Sequence, residues 1–133
     1  MDETPPMPEQ TEPRGELALQ TVAMPAHTNA NGDIFGGWVV SNMDLAAGIA
    51  GRYRARSRAV TVAIEALTFI KPVYVGDTVA CYAELIKVGH TSMKFKIEVW
   101  TLSLCDEHQK KVAEGLFTFV AIDEHRKPQP VDR

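Results

Sequence analysis

The chain has 133 residues, enough for one domain with a single core and too few for two ordinary ones. Hydrophobic residues make up 45% and charged residues 23%, a globular composition, and no apolar run approaches the roughly 20 residues that span a bilayer. A formal net charge of -3 argues against a dedicated nucleic-acid binder.

The chain opens on MDETPPMPEQTEPR, acidic and rich in proline, without the basic end or apolar segment of a signal peptide. Residues 1–14 read as a tail that buries too little surface to order itself. ELALQTVAMP then alternates Leu17, Leu19, Thr21 and Ala23 against their neighbours, a first strand closed by Pro25. His27 to Asp33 is a turn-rich loop, and Asp33 is placed to cap a helix entered through Gly36 and Gly37. That helix is expected from about Gly36 to Arg54, with Arg52, Arg54 and Arg56 at its negative pole.

Four strands follow. AVTVAIEALTFI (Ala59 to Ile70) is rich in β-branched residues and stopped by Pro72. TVACYAELIKV (Thr78 to Val88) comes after the turn Val75-Gly76-Asp77. SMKFKIEVWTL (Ser92 to Leu102) alternates, placing Met93, Phe95, Ile97 and Val99 inward and Lys94, Lys96 and Glu98 outward. KVAEGLFTFVAI (Lys111 to Ile122) is the last, and EHRKPQPVDR after it reads as a frayed tail. One strand, one long apolar helix and four strands make an α+β domain, the helix filling an antiparallel sheet. Tyr82, Ile86, Trp100 and Leu102 on the other face, with two open sheet edges, point to oligomerisation.

The helix carries one anomaly. From Trp38 to Tyr53 it is almost uniformly apolar or small, yet Asp44 sits in its middle. A buried carboxylate is costly unless paired or hydrogen-bonded. Its neighbours one turn away are Val40, Ser41, Ala47 and Gly48, so it is either a structural acid at an interface or an accessible base or nucleophile. Glycine costs about 0.8–1 kcal/mol relative to alanine inside a helix, so Gly48 and Gly51 imply close packing or room for access. Gly36 and Gly37 offer uncapped amides suited to a developing oxyanion. Spacing alone leaves the structural and catalytic readings of Asp44 level.

Other candidates are weaker. His27, His90, His108 and His125 fall in loops or tails and read as solvated residues, with no catalytic motif around them. Metal-ligand spacing is absent, so no metal is expected. Cys81 reads as a small buried hydrophobe, and neither it nor Cys105 has redox or ligand spacing, which fits a reducing, cytoplasmic setting. Of the four arginines in RYRARSR, Arg58 at the strand entrance is the one to hold as a phosphate contact.

AMPAHTNANGDIFGGWVVSNMDLAAG, VTVAIEALTFIKPVYVGDTV and FTFVAID together resemble the hot-dog-fold acyl-CoA thioesterases, nearest the bacterial YciA-type hydrolases. The resemblance covers residues 15–123, which it marks as the domain, with 124–133 a C-terminal tail. It implies a long helix wrapped by a five-stranded antiparallel sheet, acyl-CoA as substrate, no separate cofactor, and a hexamer of three dimers with active sites at the dimer interfaces. It implies that Asp44 is catalytic as general base or nucleophile, that Asp33 assists from the opposite subunit, and that the Gly36 and Gly37 amides polarise the thioester carbonyl. Asn29, Arg58, Lys71 and the Gly89-His90-Thr91-Ser92 turn fall in substrate-binding regions. The competing readings are a non-catalytic acyl-CoA-binding module on the same fold and a purely structural oligomer. A hot-dog dehydratase needs a histidine on the helix, and there is none.

Overall fold

The computed structural model describes residues 10–133; residues 1–9 of the expected N-terminal tail lie outside the described residues. Strand β1 (Glu16–Val22) leads through a single 3-10 turn to helix α1 (Gly36–Ala55). Strands β2 (Arg58–Phe69), β3 (Thr78–Val88), β4 (Ser92–Leu102) and β5 (Lys110–Ile122) follow. All neighbours pair antiparallel in one sheet of order β1-β3-β4-β5-β2. The fold is thus the expected α+β hot dog. Because β1 and β2 lie on opposite edges, the chain between them must cross the sheet, and α1 makes that crossing.

The core forms between α1 and the concave face of the sheet. Met43, Ala46 and Ala47 of the helix are fully buried, as are Met93, Ile97 and Val99 of β4, as their alternation predicts. The helix glycines answer the packing question: a Cβ on Gly48 would meet Phe119 at 3.4 Å, and one on Gly51 would meet Ala59, Met93 and Phe95 at 3.7 Å. Both sets of distances are ordinary contacts, so the helix packs directly on the sheet at these positions, but an alanine would fit at either and close approach alone does not require glycine. Cys81 is buried, which pushes its thiol up to about 12 and leaves it inert at neutral pH.

The helix is not dry all round, as its composition suggests. The sheet covers one side, while Leu45 is 58% and Tyr53 81% exposed on the other. Strand β2 is an edge whose Val60, Val62, Ile64 and Phe69 are exposed. Its pairing with β5 shifts register between Thr61 and Ala63 and again between Glu65 and Thr68. In the second bulge Ala66 has φ 51°, left-handed backbone that costs a non-glycine residue energy.

The sequence reading errs at both faces of the domain. Glu98 points outward as its alternation requires, but it is 0% exposed rather than solvated. Residues preceding β1 cover it: the Gln10 side-chain amide donates to Glu98 Oε1 at 2.8 Å and the Arg14 backbone N–H at 3.1 Å. Trp100, expected on the open outer face, is buried beside it and donates its indole N–H to the same oxygen at 3.0 Å. The C-terminal segment is docked rather than frayed: Val131 is buried, its amide bonds to His90 O, and Asp132 pairs with Arg54 at 2.8 Å.

Candidate active site

The loop before α1 is organised by Asn29. Its Oδ1 accepts the amides of Asn31 at 2.9 Å and Asp33 at 3.1 Å, and its own amide donates to Asp33 O at 2.7 Å. This tight turn leaves Asp33 too early to cap the helix. The N-cap is Phe35, with φ -59° and ψ 127°, and it makes no side-chain cap bond. Asp33 therefore lacks the N-cap duty that its position in sequence suggests. Trp38 and Val39 both donate to Phe35 O, whereas the amides of Gly36 and Gly37 have no acceptor among the described residues. Uncapped first-turn amides at the positive end of a 20-residue helix are strong donors for an anionic oxygen.

Gly36 lines a cleft of about 350 Å³ together with Asn29, Asp33, Phe69, Ile70 and Lys71 among others. Four of the residues singled out from sequence (Asn29, Asp33, Gly36 and Lys71) thus meet in one chain, with Gly37 adjoining. Phe69, Ile70 and Val73 also line the cleft, and sequence reasoning missed them, since apolar residues at a strand's end and in the loop after it carry no mark of which opening they face.

Asp44 lies elsewhere. Eight residues along the helix from Gly36, it is about 12 Å away on the axis. It is half-buried, and its Oδ1 accepts a hydrogen bond of 2.6 Å from the Thr61 hydroxyl on edge strand β2. The carboxylate is not a buried orphan, and among the described residues it forms no ion pair; one oxygen is held by Thr61. The Thr61 contact depends on how α1 lies against β2 and has no local sequence signal.

The remaining predicted contacts gather at the far end of the sheet. Arg58 begins β2 opposite Ile122, and Ser92 begins β4 opposite Val120, one strand away. The Gly89-to-Ser92 turn closes with a 2.8 Å bond from Gly89 N–H to Ser92 O, and Thr91 O accepts the Ala121 amide. A strand of 12 residues separates this group from Lys71 by on the order of 35 Å. Within one chain the predicted residues form three groups: one beyond the Phe69 end of β2, one at its Arg58 end, and Asp44 opposite Thr61, about 10 Å in from Arg58.

The comparisons bear on what such a chain is. The Thioesterase superfamily profile matches residues 31–104. The acyl-CoA thioester hydrolase YciA of Salmonella typhimurium is 50% identical over 122 residues, covering 90% of this chain and 92% of that protein. Its counterpart in Escherichia coli K12 is 48% identical over 120 residues, 88% of this chain and 91% of that one. Among solved structures, the Asp44Ala mutant of HI0827, a hexameric broad specificity acyl-coenzyme A thioesterase, superposes with a TM-score of 0.87 at 46% identity, covering 90% of this chain and 88% of that chain. The hexameric thioesterase y2039 of Yersinia pestis superposes with a TM-score of 0.86 at 50% identity, covering 90% and 97%. With the family profile, the relatives and the fold in agreement, this chain belongs to the hot-dog-fold acyl-CoA thioesterases of the YciA kind.

Proposed function

We propose that the protein hydrolyses acyl-CoA at sites each shared between two copies of the chain. The observation that carries this reading is the gap of about 10–12 Å along one helix between Asp44 and the Gly37 and Gly36 amides, which have no acceptor among the described residues. A general base must come within about 3 Å of the water it activates, so the two cannot serve one thioester from the same chain. The exposed β2 edge supplies a remedy. Antiparallel pairing of β2 with its copy about a two-fold axis near the strand's midpoint exchanges its ends. The axis carries Thr61 to the level of Leu67, near the Phe69 ring that sits against Gly36. It carries Arg58 to the level of Ile70 and Lys71.

The three groups then become one site. Asn29, Asp33, Gly36, Gly37 and Lys71 belong to one subunit, while the partner subunit's Asp44, the partner subunit's Arg58 and the partner subunit's turn at 89–92 come from the other. The thioester carbonyl oxygen lies at the glycine amides, and the basic residues take the CoA phosphates. The partner subunit's Asp44 accepts a proton from water as its oxygen adds to the carbonyl carbon. The amides hold the oxyanion, the C–S bond breaks, the proton held by the partner subunit's Asp44 passes to the leaving sulfur, and CoA departs as the thiol beside the carboxylic acid, which ionises to solvent. Three such dimers make the hexamer that the neighbours' names describe.

Mixing two inactive variants tests the sharing. Asp44→Asn removes the base. Gly36→Pro removes one donor at the first helical position, where proline fits, and the Cβ it adds meets Phe69 at 3.6 Å, an ordinary contact distance. Each alone should lose about 100-fold or more in kcat. Refolded together in equal amounts, they should recover about a quarter of wild-type activity, since half the dimers would each hold one intact site. No recovery from well-mixed dimers would refute the shared site.

A further inference from the structure

Two consecutive glycines are the least constrained backbone the chain can offer, yet an oxyanion site requires its donors to be fixed before the reaction. One residue holds this pair from both sides. His27 O accepts the Phe35 amide at 2.7 Å, immediately before Gly36. The His27 imidazole stacks on the Trp38 indole, immediately after Gly37, with centroids 4.7 Å apart and planes 20° from parallel. Trp38 in turn packs against the hydrophobic core. The ring is itself oriented, because Nδ1 accepts the Met24 amide at 3.2 Å, which puts the proton of the neutral ring on Nε2.

We propose that His27, which the sequence presents as an ordinary loop residue, is the positioning residue of the oxyanion site: its stack on Trp38 clamps the Gly36-Gly37 amides in their productive orientation. It acts through Trp38 and the loop backbone rather than on the reacting atoms. The proposal rests on the reading of those amides as the oxyanion donors and adds the device that holds them. Misplacement of such donors by a fraction of an ångström to 1 Å acts on the transition state far more than on bound substrate.

Three variants separate the ring from its hydrogen bond. His27→Ala loses both, His27→Asn keeps an acceptor for the Met24 amide, and His27→Phe keeps only a ring to stack. Two measurements apply to each: turnover of an acyl-CoA, and hydrogen–deuterium exchange of the peptide covering residues 34–40, whose Phe35, Trp38 and Val39 amides are bonded. His27→Ala and His27→Asn should exchange about tenfold faster there and lose about tenfold or more in kcat, with KM within about threefold. His27→Phe should stay within about threefold of wild type in both. Unchanged exchange in His27→Ala overturns the clamp. Faster exchange with unchanged kcat overturns the positioning role, and a His27→Phe variant as impaired as His27→Ala overturns stacking as the cause. If mixing Asp44→Asn with Gly36→Pro restores nothing, the shared site fails separately, and exchange at the helix start still decides the clamp.

Discussion

Replacing Glu98 by glutamine removes one charge and almost no volume from the outer face of β4. Glu98 Oε1 accepts three hydrogen bonds, from the Gln10 side chain, the Arg14 amide and the Trp100 indole. Oε2 is buried without a hydrogen-bond partner, and Lys111 Nζ stands 3.5 Å from it. Burial pushes this carboxyl up, but those donors and the Lys111 charge outweigh burial and hold it below its ordinary range. In Glu98→Gln the three bonds lose their charge assistance, and an amide N–H2 is turned toward the ammonium. Breaking a buried pair costs about 3–5 kcal/mol, and because Lys111 keeps Glu114 as a second partner the expected loss falls below that range, about 2–3 kcal/mol. Urea unfolding followed by circular dichroism, at one protomer concentration, measures it. The folded carboxyl titrates below the unfolded one. Its contribution is therefore complete well above pH 4.5 and is lost as pH falls through the folded value, so the gap between wild type and variant should close in acid. A gap under about 0.5 kcal/mol at pH 7, or one that stays constant into acid, would refute the assignment of Glu98 as the charged anchor of the segment before β1.

Two further variants probe the edge strand. Thr61→Val removes the hydroxyl that holds Asp44 and should lower kcat by about tenfold at unchanged KM, with Thr61→Ser close to wild type; equal kinetics in all three would show that Asp44 needs no such support. Ala66→Gly relieves the positive φ in the β2 bulge and should raise stability by about 0.5–1 kcal/mol in thermal unfolding, the strain relief exceeding the entropy that glycine adds to the unfolded chain.

Much of this was legible in the residues. The 3.6 and 2.0 periodicities locate α1 and the last three strands to within a residue of where they fold, and the inward row of β4 is as its alternation says. The site was legible in part. Asp44 and the glycine pair stand out because a carboxylate and paired glycines are anomalous in an apolar helix. His27 and Thr61 do not stand out, since a loop histidine and a strand threonine are unremarkable until a neighbour distant in sequence is placed against them. Asp33 misleads in the opposite way: it has the chemistry of an N-cap, but Asn29 uses the intervening residues for its own turn.

By itself the sequence determined which segments are helix and strand, which side chains lie on each face, and where an acid and a pair of free amides must occur along α1. Those properties follow from backbone propensity and periodicity, which act over a few residues. Only the tertiary structure decided what covers each face and which residues meet. Glu98 is buried because residues 84 and 88 positions earlier in the chain fold over it. Asn29, Asp33, Gly36 and Lys71 share a cleft because β2 runs back along the sheet to the helix start. The distance from Asp44 to the glycine amides is a property of helix rise, but that β2 is an uncovered edge is visible only in the order of the sheet. Such contacts depend on loop closure and strand order, which no local pattern encodes.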